Sequence, residues 1–144
     1  YLILDEALTK AIMDAAKRSV DIRIITPGIP DKRLVYGVTR SQYYNLIKAG
    51  VSIYEYTPGF VHAKNVVSDD KIATIGSINF DNRSFYHSYE CGIWIFNSRT
   101  VIDMKEDFLN IQSLSRKVYL DYIDKIPFGK KISIGFFRLL SPLL

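Results

Sequence analysis

Residues 62–81 read HAKNVVSDDKIATIGSINFD. They contain the pattern H-x-K-x(4)-D-x(6)-G-S-x-N, carried by His62, Lys64, Asp69, Gly76, Ser77 and Asn79. The spacing predicts two short strands, HAKNVVSD and KIATIG, joined by a tight turn at Asp69-Asp70-Lys71. Side chains two apart on a strand share a face, so His62 and Lys64 are expected to aim at one point. That pair suits a phosphate: the ammonium neutralises oxygen charge while the imidazole attacks phosphorus. Gly76-Ser77-x-Asn79 leaves a strand end and can add a hydroxyl, a carboxamide and backbone N–H groups around the same phosphate. Asp69 completes the candidate set. Its place at the turn reads as support for the loop through its own backbone, not as a proton donor. This chemistry needs no metal or other cofactor, and the sequence offers no carboxylate cluster to hold a metal.

The flanking sequence predicts the layers around that hairpin. YLIL reads as a strand, followed by a helix over about 6–17 that is capped by Asp5 and has an apolar face of Leu8, Ile12 and Met13. SVDIRIITP alternates Val20, Ile22 and Ile24 against Asp21 and Arg23, and stops at Pro27-Gly28. GIPDKRLVYG reads as a loop. A second helix is expected from about Thr39 to Ala49 with Gly50 behind it, and VSIYEYT as the next strand. Strand, helix, strand, helix, strand is the order of a mainly parallel sheet with crossover helices. The hairpin and a further strand, YECGIWIF, make that sheet mixed. A helix follows from Thr100, striped by Val101, Met104, Phe108 and Ile111, then a further or broken helix over about 115–125. The tail over 126–144 is apolar, with Lys130, Lys131 and Arg138 interspersed. Two placements stand equal for it: an anionic membrane surface, or packing back onto the domain or a missing half.

Composition bounds the rest. A length of 144 residues with 48% hydrophobic content implies one globular domain over 1–144 with a core of its own. The single cysteine, Cys91, excludes an intramolecular disulfide; its apolar surroundings predict a small core residue. A net charge of +4 suits an anionic partner, but at this size it is modest, and composition alone favours an ordinary solvated surface. No apolar run reaches the roughly 18 residues of a spanning helix. The first residue is Tyr, and the first segment already reads as a strand entering a helix. The chain is therefore expected to be an excised part of a longer protein.

The string from His62 to Asn79 resembles the HKD signature of the phospholipase D superfamily. The wider context resembles the bacterial cardiolipin synthases, specifically their C-terminal half. IRIITPGIPDKRLVY, AGVSIYEYTPGFVHAKNVVSDDKIATIGSINFDNRSF and the terminal RLLSPLL carry that resemblance across essentially the whole chain. It implies a phospholipase D-like α/β fold, with a mixed, mainly parallel sheet flanked by helices on both faces. It also implies phosphatidyl transfer, in which two phosphatidylglycerols become cardiolipin and glycerol through a phosphatidyl-histidine. On this resemblance His62 is nucleophile or acid/base, Lys64 and Asn79 bind phosphate oxygens with Ser77 nearby, and Glu90 hydrogen-bonds a histidine ring. Asp81 and Arg83 are expected to form an internal pair that holds the Gly-Ser loop. His87 has Tyr89 two residues on in place of a lysine, so it does not start a second motif.

Nucleophile and leaving-group acid need opposite protonation states, so one histidine makes half a site. An upstream domain of a longer chain could supply the second HKD motif, or a second copy of this chain could. The implied partners are an anionic phospholipid and a membrane surface, with the full-length protein at the cell membrane and its catalytic domain facing the cytoplasm. Nucleic acid is not an expected partner on that reading. It becomes one on the alternative, a homodimeric phospholipase D-like phosphodiesterase or nuclease with one motif per chain.

Overall fold

A computed structural model describes residues 2–121. In chain order the elements are β1 Leu2–Ile3, α1 Glu6–Lys17, β2 Arg23–Pro27, α2 Arg33–Lys48, β3 Ser52–Tyr56, β4 Asn65–Ser68, β5 Ile72–Gly76 and β6 Phe80–Asp81. A π-helix Arg83–His87, β7 Gly92–Phe96, α3 Arg99–Ser113 and β8 Ser115–Lys117 follow. The expected tail over 126–144, and the last part of the helix expected over 115–125, lie outside the described residues.

The strands form three hydrogen-bonded groups, β1-β6, β2-β3-β8 and β4-β5-β7. β1–β6 and β2–β3 are parallel, whereas β3–β8, β4–β5 and β5–β7 are antiparallel. Alternation along β2 sorts the helices between two faces. Ile22 and Ile24 pack into a core with Leu8, Ile12, Met13 and Ala16 of α1, Tyr43 and Leu46 of α2, and Ile53 of β3. Arg23 points the other way and reaches Gln112 of α3 at 3.5 Å. The sheet layer is thus mixed and covered by α1 and α2 on one face and α3 on the other, as the resemblance implied.

Local chemistry explains most boundaries. Asp5 caps α1, accepting the Leu8 N–H at 2.7 Å. Ala49 ends α2, and Gly50 behind it takes φ +109°, a conformation that favours glycine. Asp69 and Asp70 both take left-handed φ, 51° and 57°, in the β4–β5 turn.

Three expectations are corrected. α2 begins at Arg33, not Thr39. Val35 and Val38 are buried on the same stripe as Gln42 and Leu46, and Gly37 sits in open space within the helix. Burying the two valines outweighs the roughly 1 kcal/mol helix penalty of one glycine. Residues 115–117 are a strand, because pairing with β3 brings Arg116 to the fully buried Glu55. His62 and Lys64 lie ahead of β4, not inside it. The Lys64 carbonyl accepts the Gly76 N–H at 3.1 Å, and β5 ends at Gly76, so residues 62 and 63 have no strand opposite them.

Candidate active site

Two segments bring the motif residues together. The first is the extended stretch that leads from the Pro58-Gly59 turn into β4 and carries His62 and Lys64. The His62 ring is exposed and stacks on Phe60, with centroids 5.8 Å apart. Lys64 is half-buried, and its Nζ donates to the His62 carbonyl oxygen at 2.6 Å. Desolvation pushes the Lys64 ammonium below its ordinary pKa, against the opposing pull of Glu90, Asp81 and Asp31.

The second segment is the turn out of β5. A Cβ at Gly76 would lie 2.3 Å from the Cys91 carbonyl oxygen and 2.6 Å from Gly92 Cα, so the close pass of β5 and β7 requires glycine. The next residue, Ser77, donates its N–H to the Cys91 carbonyl at 2.9 Å. Its Oγ accepts the Cys91 N–H at 3.0 Å and donates to Glu90. The Glu90 carboxyl is held below its usual range by the Ser77 hydroxyl, then by the Ser84 hydroxyl, with the Lys64 and Arg83 charges adding to both. Ser84 Oγ accepts the Asn79 N–H at 3.2 Å, and the Ser84 N–H donates to Asp81 Oδ1 at 2.7 Å. Ser77 and Ser84 thus link Asn79 and Glu90 at the end of β5, with the Lys64 charge near Glu90. His62, Lys64 and Asn79 also line one cleft of about 440 Å3.

Asp69 lines the same cleft, away from the end of β5. It lies at the far end of the hairpin, five residues beyond Lys64, which at a strand rise of about 3.4 Å is some 17 Å away. There its carboxylate accepts from Ser68 Oγ at 3.0 Å. Glu90 makes its hydrogen bonds to serines, whereas the His62 ring has Phe60 beside it. Asp81 serves the Ser84 backbone, and among the described residues no ion pair joins it to Arg83. Cys91 is exposed rather than in the core, because β7 lies at the edge of its group. His87 closes the π-helix and is exposed. The sequence reading missed Ser84, a buried serine with three polar partners; its only signal was its position five residues after Asn79.

Comparison with known proteins follows the same lines. A family profile described as "Cardiolipin synthase, PLD-like domain" matches residues 1–112. An uncharacterized protein of Streptococcus mutans is 42% identical over all 144 residues, which cover 31% of its length. Cardiolipin synthase 2 of Bacillus anthracis is 36% identical over the same 144 residues, covering 28% of its length. Among solved structures, Nuc, a phospholipase D family member from Salmonella typhimurium, aligns with TM-score 0.71 at 18% identity, over 82% of this chain and 77% of that one. Phosphatidylserine synthase of Haemophilus influenzae aligns with TM-score 0.73 at 14% identity, over all of this chain and 40% of that one. At those identities the two structures show a shared fold. The chain spans less than a third of the length of these two curated relatives.

Proposed function

Since the chain belongs to the cardiolipin synthase, phospholipase D-like domain family, we propose that it supplies half of a phosphatidyl-transfer active site acting on phosphatidylglycerol at a membrane surface. What supports this reading is that the motif spacing is kept in full, with His62, Lys64 and Asn79 lining one cleft and Ser77, two residues before Asn79, bonded to Glu90. A phosphodiester there would meet an ammonium, a hydroxyl and a carboxamide, the groups that hold phosphate oxygens.

In the proposed reaction a ring nitrogen of His62 bonds to phosphorus as the P–O bond to the leaving glycerol breaks. A histidine from a second H-x-K-x(4)-D motif protonates that glycerol oxygen. The same second histidine then removes the proton from the hydroxyl of another phosphatidylglycerol. That oxygen bonds to phosphorus, the P–N bond breaks, and cardiolipin leaves. The roles of the two histidines can be exchanged without changing the balance. The second motif would come from elsewhere in a longer polypeptide, in keeping with relatives more than three times the length of this chain. Among the described residues no helix is long and apolar enough to cross a membrane.

A second reading is a homodimer of one-motif chains that cleaves phosphodiesters, favoured by the match over 77% of the Nuc chain. The test uses phosphatidylglycerol vesicles and bis-p-nitrophenyl phosphate, with the longer protein and with the 144-residue chain at a measured oligomeric state. Cardiolipin formed by the longer protein and lost in His62→Ala supports the first reading. In the same assay Lys64→Ala should lower kcat/KM by about 100-fold or more. Phosphodiester cleavage by a dimer of the short chain supports the second. Robust turnover by a verified monomer would refute the half-site in both.

A further inference from the structure

The turn that carries Ser77 and Asn79 is tied at two points to the segment over 84–91. At the first, the Ser77 hydroxyl donates to Glu90 and accepts the Cys91 N–H at 3.0 Å. At the second, the Asn79 N–H donates to Ser84 Oγ at 3.2 Å. The one hydrogen of the Ser84 hydroxyl goes to the same Glu90 carboxylate. Ser77, Glu90, Ser84 and Asn79 thus form a closed ring through hydrogen bonds and chain. A single attachment would let the turn pivot. Two attachments, two residues apart, fix both its place and its orientation.

Ser84 is itself held from outside that ring. It is the buried residue of the π-helix Arg83–His87, whose wide turn closes from the Ser88 N–H to the Arg83 carbonyl at 2.9 Å. Asp81 Oδ1 takes the Ser84 N–H at 2.7 Å, and Asp81 stands in β6, paired with Ile3 of β1. The exposed rings that follow Ser84 anchor the turn further. Phe85 meets Phe80 of β6 edge-on, with centroids 5.7 Å apart. The Tyr86 hydroxyl donates at 2.6 Å to Asp5, the cap of α1. These contacts fix the turn against β6 and α1 without using any residue of the proposed phosphate site.

We propose that Ser84 is a positioning residue, a fixed post that holds the Asn79 segment and the Glu90 carboxylate in one arrangement. The inference rests on the phosphate-site reading above and adds to it a residue outside the string from His62 to Asn79. Arg83, Phe85, Tyr86 and His87, the other residues of the π-helix, are exposed. Alanine at 84 would leave the Asn79 N–H without its acceptor, and Glu90 with one serine hydroxyl in place of two. Asn79 would then turn within the cleft that it lines with His62 and Lys64. A misplacement of about 1 Å at a reacting group is worth about 100-fold in rate.

The test compares Ser84→Ala, which removes the hydroxyl, with Ser84→Thr, which keeps it, in the phosphatidylglycerol and bis-p-nitrophenyl phosphate assays described above. Ser84→Ala should lower kcat by about 10–100-fold with KM nearly unchanged, and Ser84→Thr should keep most of the rate. In an Asn79→Ala background, Ser84→Ala should cost less than about 3-fold more, because the carboxamide it positions is gone. A serine that only supports the fold would give the same fold-loss in both backgrounds. On the 144-residue chain the Asn79 amide should exchange with solvent about 10-fold faster or more in Ser84→Ala than in wild type or Ser84→Thr. If circular dichroism shows Ser84→Ala unfolded, Ser84→Cys, which keeps the size and weakens both hydrogen bonds, takes its place with the same expectations. Three results would overturn the proposal: an unchanged kcat; an equal loss in the Asn79→Ala background; or an Asn79 amide that exchanges alike in all variants. His62→Ala as active as wild type would refute the phosphate-site reading instead, whatever Ser84 does.

Discussion

Gly76 has no room for a methyl group, because the atoms it would meet are backbone atoms of the partner strand and its approach. Gly76→Ala must part β5 from β7 or shift both. It is expected to cost about 2–3 kcal/mol, read as a lower urea midpoint. The same shift pulls Ser77 away from Cys91 and Glu90, so the proposed transfer activity should fall by more than the lost folded fraction explains. An unchanged midpoint would mean that β7 yields freely at its edge. At this scale the string of His62, Lys64, Ser77 and Asn79 was legible from its fixed spacing, and phosphate binding is the role proposed for it. Ser84 was not legible, and Asp81 was singled out only with Arg83 as its partner, since a serine and an aspartate after a loop look alike whatever they meet. Only the fold makes them the bracket between Asn79 and Glu90.

At the scale of elements, α1 was readable from Asp5 onward because cap, first turn and apolar stripe agree. Its cap also carries a pH signature. The Asp5 carboxyl is held below its ordinary value by the Tyr86 hydroxyl, which donates at 2.6 Å, and then by the Leu8 N–H. A carboxyl lowered in the folded state contributes stability that is fully present above its ordinary pKa of 3.8 and is lost as pH falls through the lowered value. Asp5→Ala should therefore cost about 1 kcal/mol at pH 7. Thermal melts of the two proteins should begin to converge as pH falls below about 4, where the unfolded carboxyl starts to protonate, and meet only below the lowered folded value. A gap that widens on acidification would reverse the sign of this argument. The start of α2 was hidden by Pro30 and Gly37, which read as punctuation. β8 was hidden because Ser-Arg-Lys carries no strand pattern, and what makes it a strand is a partner 61 positions earlier.

At the scale of the whole molecule, the alternation of strands and helices disclosed the α/β class, and the helix coverage of both faces followed. The three-part division of the strands was invisible in the sequence, because pairing depends on which edges meet. One buried carboxylate joins the parts of the larger core. Glu55 accepts from Arg116 Nη2 at 2.5 Å, pairs with Arg40 Nε at 3.2 Å and accepts the Tyr36 hydroxyl at 3.4 Å. Glu55→Ala leaves two guanidinium groups facing an apolar gap. It should cost about 3 kcal/mol in the denaturation free energy, the low end for a broken buried pair because Arg116 is half exposed. Glu55→Gln, which keeps the shape and one acceptor, should cost less. Equal losses would show that the charge, which both variants remove, rather than packing makes the bond. The same contact also bears on synthesis. As the chain leaves the ribosome, Glu55 emerges 61 residues before Arg116, an interval of about 3–12 s at 5–20 residues per second. Until then the nascent domain carries Glu55 with only its earlier partners Arg40 and Tyr36, and a β3 edge open to other chains. Crowded polysomes are thus the setting in which this domain is most exposed to mispairing.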